Sequence, residues 1–340
     1  MNSSHSTAVI QPLAESLFQS SQFETRFLKG DGSDRQIYRL LPFDSDLKSV
    51  VAVHHENLEE NRDFLKLTAY LRDKQIPVPE IYSISKDQTT YLLQDLGPHT
   101  LADKIEIWRK SNQSQKIVAA YQSSLNYLSQ MQNLSWQSDR LDILDKRMGT
   151  VTYLEDLAYF EDRFIKAFDY GDLLTNSVKK ELRQELVDKL GEVDHGFFVY
   201  RDFQSRNIMW QDDAPWFIDY QSAMRGPLYY DLASLLYSSR SGISAAEREA
   251  LYNYYYKMLA PSISIADFKD HFFRFVLIRR LRSLGTYGYL SLVKDKKQFR
   301  KAIPPTLTEL NDLLSNQECL QSFEALGEMI RKIADLIETT

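Results

Sequence analysis

The feature that most constrains this chain is an apolar, strand-like island set within a helical stretch. From Gly196 to Tyr220 the residues are rich in Phe, Val, Ile and Trp, while the flanking chain repeats apolar residues at helical spacing. The run Phe198-Val199-Tyr200-Arg201-Asp202-Phe203-Gln204-Ser205-Arg206-Asn207-Ile208-Met209-Trp210 leads into a short polar segment, and Trp216-Phe217-Ile218-Asp219-Tyr220 returns. Two such runs about a turn read as an antiparallel hairpin. Pairing Trp210 with Trp216 across a five-residue turn places Asn207 opposite Asp219. Directly opposed residues have Cβ atoms about 4.5–5.5 Å apart, close enough for two oxygen-bearing side chains to share one hard cation. Asp202 stands five residues before Asn207. At that spacing an Asp can receive a substrate hydroxyl proton while an Asn holds a metal beside the transferring phosphate. Taken singly, each residue is as well explained by a turn or a strand end. Together, around an apolar hairpin, they point to phosphoryl transfer.

The chain around the island has two textures. Phe23–Leu28, Gln36–Leu41 and Ser49–His54 read as strands, with a Gly30-Asp31-Gly32-Ser33 turn after the first. Glu59–Lys74 has helical spacing, with Phe64, Leu67 and Leu71 on one face, and Pro77 and Pro79 end it. Ile81–Ser85 and Thr90–Gln94 form a hairpin over Lys86-Asp87-Gln88, and Asp95-Leu96-Gly97-Pro98 is a natural hinge. Beyond the hinge, Gln113–Gln132, Val151–Phe168, Ser177–Leu190, Ala245–Leu259 and Ile265–Leu284 read as helices. The expected fold is α+β with two lobes. A small antiparallel-sheet lobe spans residues 1–96, and a larger, mostly helical lobe spans 97–340.

Charge and composition narrow the partners. The net charge is -6, and the densest basic run, Lys294–Lys301, is short and interrupted, so no nucleic-acid partner is expected. Cys319 is the one cysteine, which excludes an internal disulfide. Met1–Leu13 has no basic segment followed by an apolar run, and no apolar stretch reaches membrane-spanning length. A cytoplasmic protein acting on a small molecule, away from membranes, is the expectation.

The stretch Tyr200–Met209 resembles the catalytic loop of the aminoglycoside-phosphotransferase and choline-kinase superfamily. It is most similar to the subgroup that phosphorylates N-acetylmuramate and N-acetylglucosamine at the anomeric hydroxyl. Asp219-Tyr220-Gln221-Ser222-Ala223-Met224-Arg225-Gly226-Pro227-Leu228-Tyr229-Tyr230-Asp231-Leu232-Ala233-Ser234-Leu235-Leu236 resembles the segment that follows in that subgroup. Weaker likeness covers Gly30–Leu40, Val78–Ile81, Leu92–Gly97 and Arg280–Gly285. The resemblance implies a protein-kinase-like fold, ATP and Mg2+, and a small-molecule hydroxyl as acceptor. An amino sugar phosphorylated at its anomeric hydroxyl is the leading substrate. An aminoglycoside, a choline-like amine or another small alcohol is the alternative, and a non-catalytic nucleotide binder is a third reading.

The resemblance also assigns roles. Asp202 is the catalytic carboxylate, and Asn207 and Asp219 hold the metal. Gly32, Ser33, Asp34 and Arg35 form either a phosphate loop or an ordinary hairpin turn, and the hinge after the last strand puts Leu93, Gln94, Asp95 and Leu96 beside the adenine. Arg201, Gln204 and Arg206 support the loop or the substrate. Asp231 either caps a helix or braces the catalytic loop. The sequence departs from the kinase pattern in places. Tyr200 replaces the usual histidine. The third strand, Val51-Ala52-Val53, runs into His54-His55 instead of a lysine, and no Glu partner stands near Asp63 or Phe64. The adjacent histidines point to opposite faces of a strand, so a two-histidine metal site is not expected; one of them could face the nucleotide, and the other suits a satisfied surface position. Glu155, Asp156, Glu161 and Asp162 could form the acidic pocket a polycationic acceptor needs, or a solvated helix face. Tyr252, Tyr254, Tyr255 and Tyr256 spread over several helix faces and suit packing better than sugar stacking.

Overall fold

The computed structural model describes residues 2–28, 35–43, 48–134, 145–259 and 263–338. Two compact units emerge. The first contains the chain up to Gln113 together with Ser205–Ser222; the second contains Ser114–Gln204 and the chain from Ala223 onward.

In the first unit, helix α1 (Asn2–Phe18) precedes strands β1 (Phe23–Leu28), β2 (Gln36–Pro42) and β3 (Val50–His54). Helix α2 (Leu58–Asp73) and the hairpin β4 (Ile81–Ile84) and β5 (Thr90–Gln94) follow. The strands form one sheet in the order β1-β2-β3-β5-β4, with every pairing antiparallel. Side chains alternate between its faces. Tyr38, Leu40, Val50, Ala52 and Leu92 turn to one face, where Ile10, Ala14 and Phe18 of α1 cover them. On the other face Tyr91 stacks on Phe64 of α2, with ring centroids 5.2 Å apart. The Asn57 side chain caps α2 by accepting from the Glu60 N–H. Helix α3 (Leu101–Lys110) begins at a Thr100–Asp103 capping box and buries Leu101, Ile105 and Trp108.

The island yields four short strands: β6 (Phe197–Val199), β7 (Ile208–Gln211), β8 (Ala214–Phe217) and β9 (Met224–Gly226). The β7–β8 hairpin belongs to the first unit. Trp210 N–H donates to the His99 carbonyl, Phe217 N–H donates to the Pro77 carbonyl, and Trp210 meets Trp108 edge-on. The hairpin register differs from the sequence expectation by one residue. Ile208 pairs with Phe217, Met209 with Trp216, Trp210 with Pro215 and Gln211 with Ala214. Asp212 and Asp213 both have positive φ, 50° and 55°, and form a two-residue turn of the primed type that suits strand twist. Pro215, which falls within the five-residue turn expected from the sequence, fits in the ladder because Trp210 sends its own N–H out of the hairpin to His99.

The second unit pairs β6 with β9 and is otherwise helical. Its helices are α4 (Ser114–Gln132), α5 (Thr150–Phe160), α6 (Asn176–Lys180), α7 (Val187–Gly191), α8 (Tyr229–Leu236), α9 (Ala245–Met258), α10 (Ile265–Gly288), α11 (Ile303–Asn316) and α12 (Glu324–Glu338). A wider π-helical turn, Glu161–Lys166, extends α5. Helix α10 is buried along most of its length. Its close approach to α5 and the π turn needs glycine. A Cβ on Gly288 would lie 2.0 Å from the Arg163 carbonyl oxygen, and one on Gly285 would lie 2.8 Å from the Tyr159 ring. Tyr252 and Tyr255 are buried in packing, Tyr254 donates to Asn126, and Tyr256 donates to the Ile263 carbonyl. Among the described residues, no helix is long and apolar enough to cross a membrane.

Candidate active site

In the first unit the hairpin ends bring Asn207 and Asp219 together. The ladder extends one step past β7, with Ile218 N–H donating to the Asn207 carbonyl at 3.1 Å. Asp219 then adopts a positive φ of 68°, a conformation that Asp tolerates better than most residues. The result is an Asn207 Nδ2 to Asp219 Oδ2 hydrogen bond of 3.4 Å, although Asn207 does not stand directly opposite Asp219. The neighbouring residue is pinned. Tyr220 is fully buried, stacks on Phe64 at 5.1 Å, and lies with its hydroxyl 2.5 Å from Thr68 Oγ1. Burial pushes its phenol well above the ordinary range, so it stays protonated. Asp219 thus follows a rigid hairpin and precedes an anchored aromatic.

Around the Asp219 carboxylate, Arg35 Nη1 donates to Oδ1 at 3.1 Å and Gln221 Nε2 donates to the same oxygen at 2.9 Å. Arg35 Nη2 donates to Glu60 Oε2 at 2.9 Å. The Arg35 side chain is only 8% exposed, whereas that of Asp219 is 40% exposed. Among the described residues, no three or more His, Cys, Asp or Glu gather as a metal-binding cluster. One carboxylate and one amide nevertheless fit Mg2+, which keeps water and takes phosphate oxygens rather than a full protein cage.

The rest of the predicted nucleotide site is partly visible. Gly32, Ser33 and Asp34 lie outside the described residues. Leu93 and Leu96 are buried. Gln94 N–H donates to the Glu80 carbonyl, and its side chain accepts from Glu80 N–H. Asp95 accepts from Arg39 at 2.6 and 3.0 Å and from Gly97 N–H at 2.9 Å. Burial opposes its charge, but the bonds from Arg39, Ser49 and Gly97 outweigh it and hold the carboxyl below its ordinary range. Gln94 and Asp95 side chains are therefore tied into the fold. His54 shares the α1 face with Ala52 and lies 2.9 Å from Thr90 Oγ1. His55 faces α2, 4.0 Å from Glu60. Glu60 stands in the first turn of α2, ahead of Asp63 and Phe64.

In the second unit, Asp202 lies in the loop after β6. Asp231, fully buried on α8, accepts from Tyr200 N–H at 2.6 Å and from Arg201 N–H at 2.9 Å. The N-cap of α8 is Leu228, so Asp231 sits inside the helix and serves the loop instead of capping. Burial pushes its carboxyl up to about 7, against the pull of the two N–H donors. Arg201 carries a positive φ of 76°, strained for this residue and overdetermined by those two bonds. Tyr200 is buried, with its ring edge against Phe203. Arg279 of α10 is buried and donates to the Tyr230 hydroxyl at 2.7 Å and to Ser234 Oγ at 2.9 Å. Burial opposes its charge, while Tyr230, Asp202 and Asp156 raise its pKa above the ordinary value, which places Asp202 in the field of this cation.

Gln204 and Arg206 are half-buried, and Arg206 Nε is enclosed without an acceptor among the described residues. The four carboxylates on α5 and its extension do not form one acidic surface. Asp156 is buried against Arg282 at 2.6 Å and Glu161 is bonded by Arg183 at 2.7 Å, while Glu155 and Asp162 face solvent.

A five-stranded antiparallel sheet with a helix on each face, a mostly helical second unit and an Asp-braced loop define a small-molecule kinase of protein-kinase-like fold. Residues 24–262 match the phosphotransferase enzyme family, and the chain belongs to that family. It is similar to the N-acetylmuramate/N-acetylglucosamine kinase of Neisseria meningitidis serogroup B, with 25% identity over 311 residues and 87% of each chain covered. It is also similar to the enzyme of that name from Pseudomonas aeruginosa, at 24% identity over 84% of this chain and 86% of that one. Among solved structures it shares its fold with Plasmodium vivax ethanolamine kinase, with TM-score 0.61, 12% identity, and 85% of this chain and 82% of that one covered. The ADP-bound aminoglycoside phosphotransferase APH(2'')-Ib gives a TM-score of 0.56 at 14% identity, with 87% of this chain and 94% of that one covered.

Proposed function

We propose that this kinase transfers the γ-phosphoryl group of ATP to the anomeric hydroxyl of an amino sugar of the N-acetylglucosamine or N-acetylmuramate type. The observation that carries the reading is the pair of supports on either side of one loop. Asp231 fixes the backbone just before Asp202, and the hairpin fixes Asn207 against Asp219. The spacing of Asp202 and Asn207 in sequence joins the two: five residues of chain span at most roughly 18 Å. The curated relatives, alike over most of their length, carry the amino-sugar name.

In this reading Asn207 and Asp219 hold Mg2+, which neutralises the β- and γ-phosphate oxygens when bound. Asp202 receives the anomeric proton as the sugar oxygen bonds to the γ-phosphorus. The bond from that phosphorus to the β–γ bridging oxygen breaks with its electron pair going to ADP, and the proton is later released to water. Arg35 borders the phosphates, and the adenine lies against Leu93–Leu96. Arg201, Gln204 and Arg206 line the acceptor side. A neutral or anionic sugar needs no acidic pocket, and the pairing of Asp156 with Arg282 and of Glu161 with Arg183 argues against a polycationic acceptor. A protein using ATP in this way fits the cytoplasm.

The test is product analysis by phosphorus NMR after incubation with Mg·ATP and a panel of hexosamines, aminoglycosides and choline. An acid-labile phosphate at C1 of a hexosamine is the expected product. Turnover of an aminoglycoside or choline with none of any hexose would overturn the reading.

A further inference from the structure

Protein kinases fix the α- and β-phosphates with a lysine on the third strand, itself paired to a helix glutamate. Here the third strand offers none. Its positions on the α2 side are Val51 and Val53, because Val50 and Ala52 are packed under α1 on the opposite face. Nor does His54 fill the gap, since it shares the Ala52 face.

We propose that Arg35, entering from the neighbouring strand, takes the place of that lysine, and that Glu60 takes the place of its glutamate partner. The inference rests on the kinase reading and goes beyond membership of a phosphate loop. Ile37 of β2 pairs with Val53, and Arg35 lies two residues earlier on the same strand path, so it shares the α2 side with Val53. Its side chain is 8% exposed, and its guanidinium forks between two carboxylates. Nη2 reaches Glu60 at 2.9 Å, in the first turn of α2, and Nη1 reaches Asp219 at 3.1 Å. A lysine ammonium at position 53 would need to reach the same helix turn, and Arg35, just ahead of β2, does reach it.

The two bonds are unequal in purpose. Asp219 is the residue assigned to the metal, and Glu60 has no such assignment. Before nucleotide binds, Arg35 balances the Asp219 charge and keeps its carboxylate turned to the site. Were Asp219 to hold a divalent cation, Arg35 Nη1 would turn to a phosphate oxygen while Glu60 kept the Nη2 side. The planar, always-charged guanidinium suits this two-partner role better than an ammonium.

The test separates phosphate recognition from the base and from the acceptor. Binding of Mg·ATP and of adenosine is measured by calorimetry for the wild-type chain, Arg35→Met, Arg35→Lys and Glu60→Gln, with no sugar present. Arg35→Met should weaken Mg·ATP at least tenfold and leave adenosine within about twofold, for a loss of one charge-assisted contact. Arg35→Lys should recover part of the loss, and Glu60→Gln should weaken Mg·ATP less than Arg35→Met does. Unchanged Mg·ATP binding in Arg35→Met would overturn the proposal. So would an equal loss of adenosine, which would mark Arg35 as a structural residue of the sheet. A wild-type chain that binds Mg·ATP but phosphorylates no sugar would count against the acceptor assignment and leave Arg35 standing. A wild-type chain that binds no ATP would sink the kinase reading and this inference with it.

Discussion

Asp231 accepts the backbone N–H groups of Tyr200 and Arg201 with its two carboxylate oxygens, at 2.6 and 2.9 Å, from inside helix α8. One buried side chain therefore satisfies two donors and holds the residue before Asp202 in a left-handed conformation. Asp231→Ala leaves both N–H groups without this acceptor. The loss should be about 2–4 kcal/mol of stability, from the cost of unsatisfied buried donors. Urea denaturation checks the stability, and turnover should fall with it even at temperatures where the variant remains folded.

The same residue sets a pH dependence. Its folded pKa is about 7, against an ordinary 3.8. Below about pH 4 it is protonated whether folded or unfolded. Between these values the folded chain keeps a proton that the unfolded chain has released, so its stabilising contribution is lost as pH rises through 7. Asp231→Asn cannot titrate there. The wild-type advantage over Asp231→Asn in melting temperature should therefore be larger at pH 5 than at pH 8. An advantage that grows from pH 5 to pH 8 would reverse the sign and refute the burial argument.

Gly288 gives a purely structural test. Its α carbon packs so closely on the Arg163 carbonyl that a methyl group has no room. Gly288→Ala should lower stability by about 1–3 kcal/mol, the usual range for overpacking, despite alanine's better helix propensity. A melting temperature at or above wild type would show that α10 can slide away from Arg163 freely.

How much of this was legible in the sequence depends on whether the signal was local. Strands β1 to β5, helix α2 and the β7–β8 hairpin follow from alternation, helical spacing and turn residues close at hand. Helix α1 was obscured by Pro12 in its interior. The spacing of Leu326, Met329, Ile330 and Ile333 marks α12 plainly, though it lay outside the expected set. The hairpin register slipped because Pro215 looks like a turn residue, and its place in the ladder depends on where Trp210 sends its N–H. Asp202, Asn207 and Asp219 could be singled out because one loop and one hairpin fix their spacing, and the fold brings Asn207 to Asp219. Glu60 was hidden, since its partner Arg35 lies just ahead of β2, some twenty-five residues earlier, and only the fold brings α2 to it. Asp231 was read as a possible cap for a similar reason: its partners lie some thirty residues back along the chain.

The metal pair has its own prediction. Asp219→Ala should reduce turnover to background, and excess chelator should do the same to the wild-type chain, because the phosphate charge is then unbalanced. Tyr220→Phe keeps the stack on Phe64 but removes the hydroxyl that meets Thr68. It should cost about 1 kcal/mol of stability and reduce turnover far less than Asp219→Ala. Full activity in the presence of excess chelator would exclude the metal assignment.

Asp202 is proposed to receive the acceptor's proton during phosphoryl transfer. The most direct measurement is single-turnover phosphorylation of the best hexosamine by the wild-type chain and by Asp202→Asn, with Mg·ATP binding measured in parallel. The account predicts that the variant binds Mg·ATP as the wild type does and transfers phosphate at least about 10²-fold more slowly, the lower end of general-base contributions. Transfer at the wild-type rate, with nucleotide bound, would contradict it.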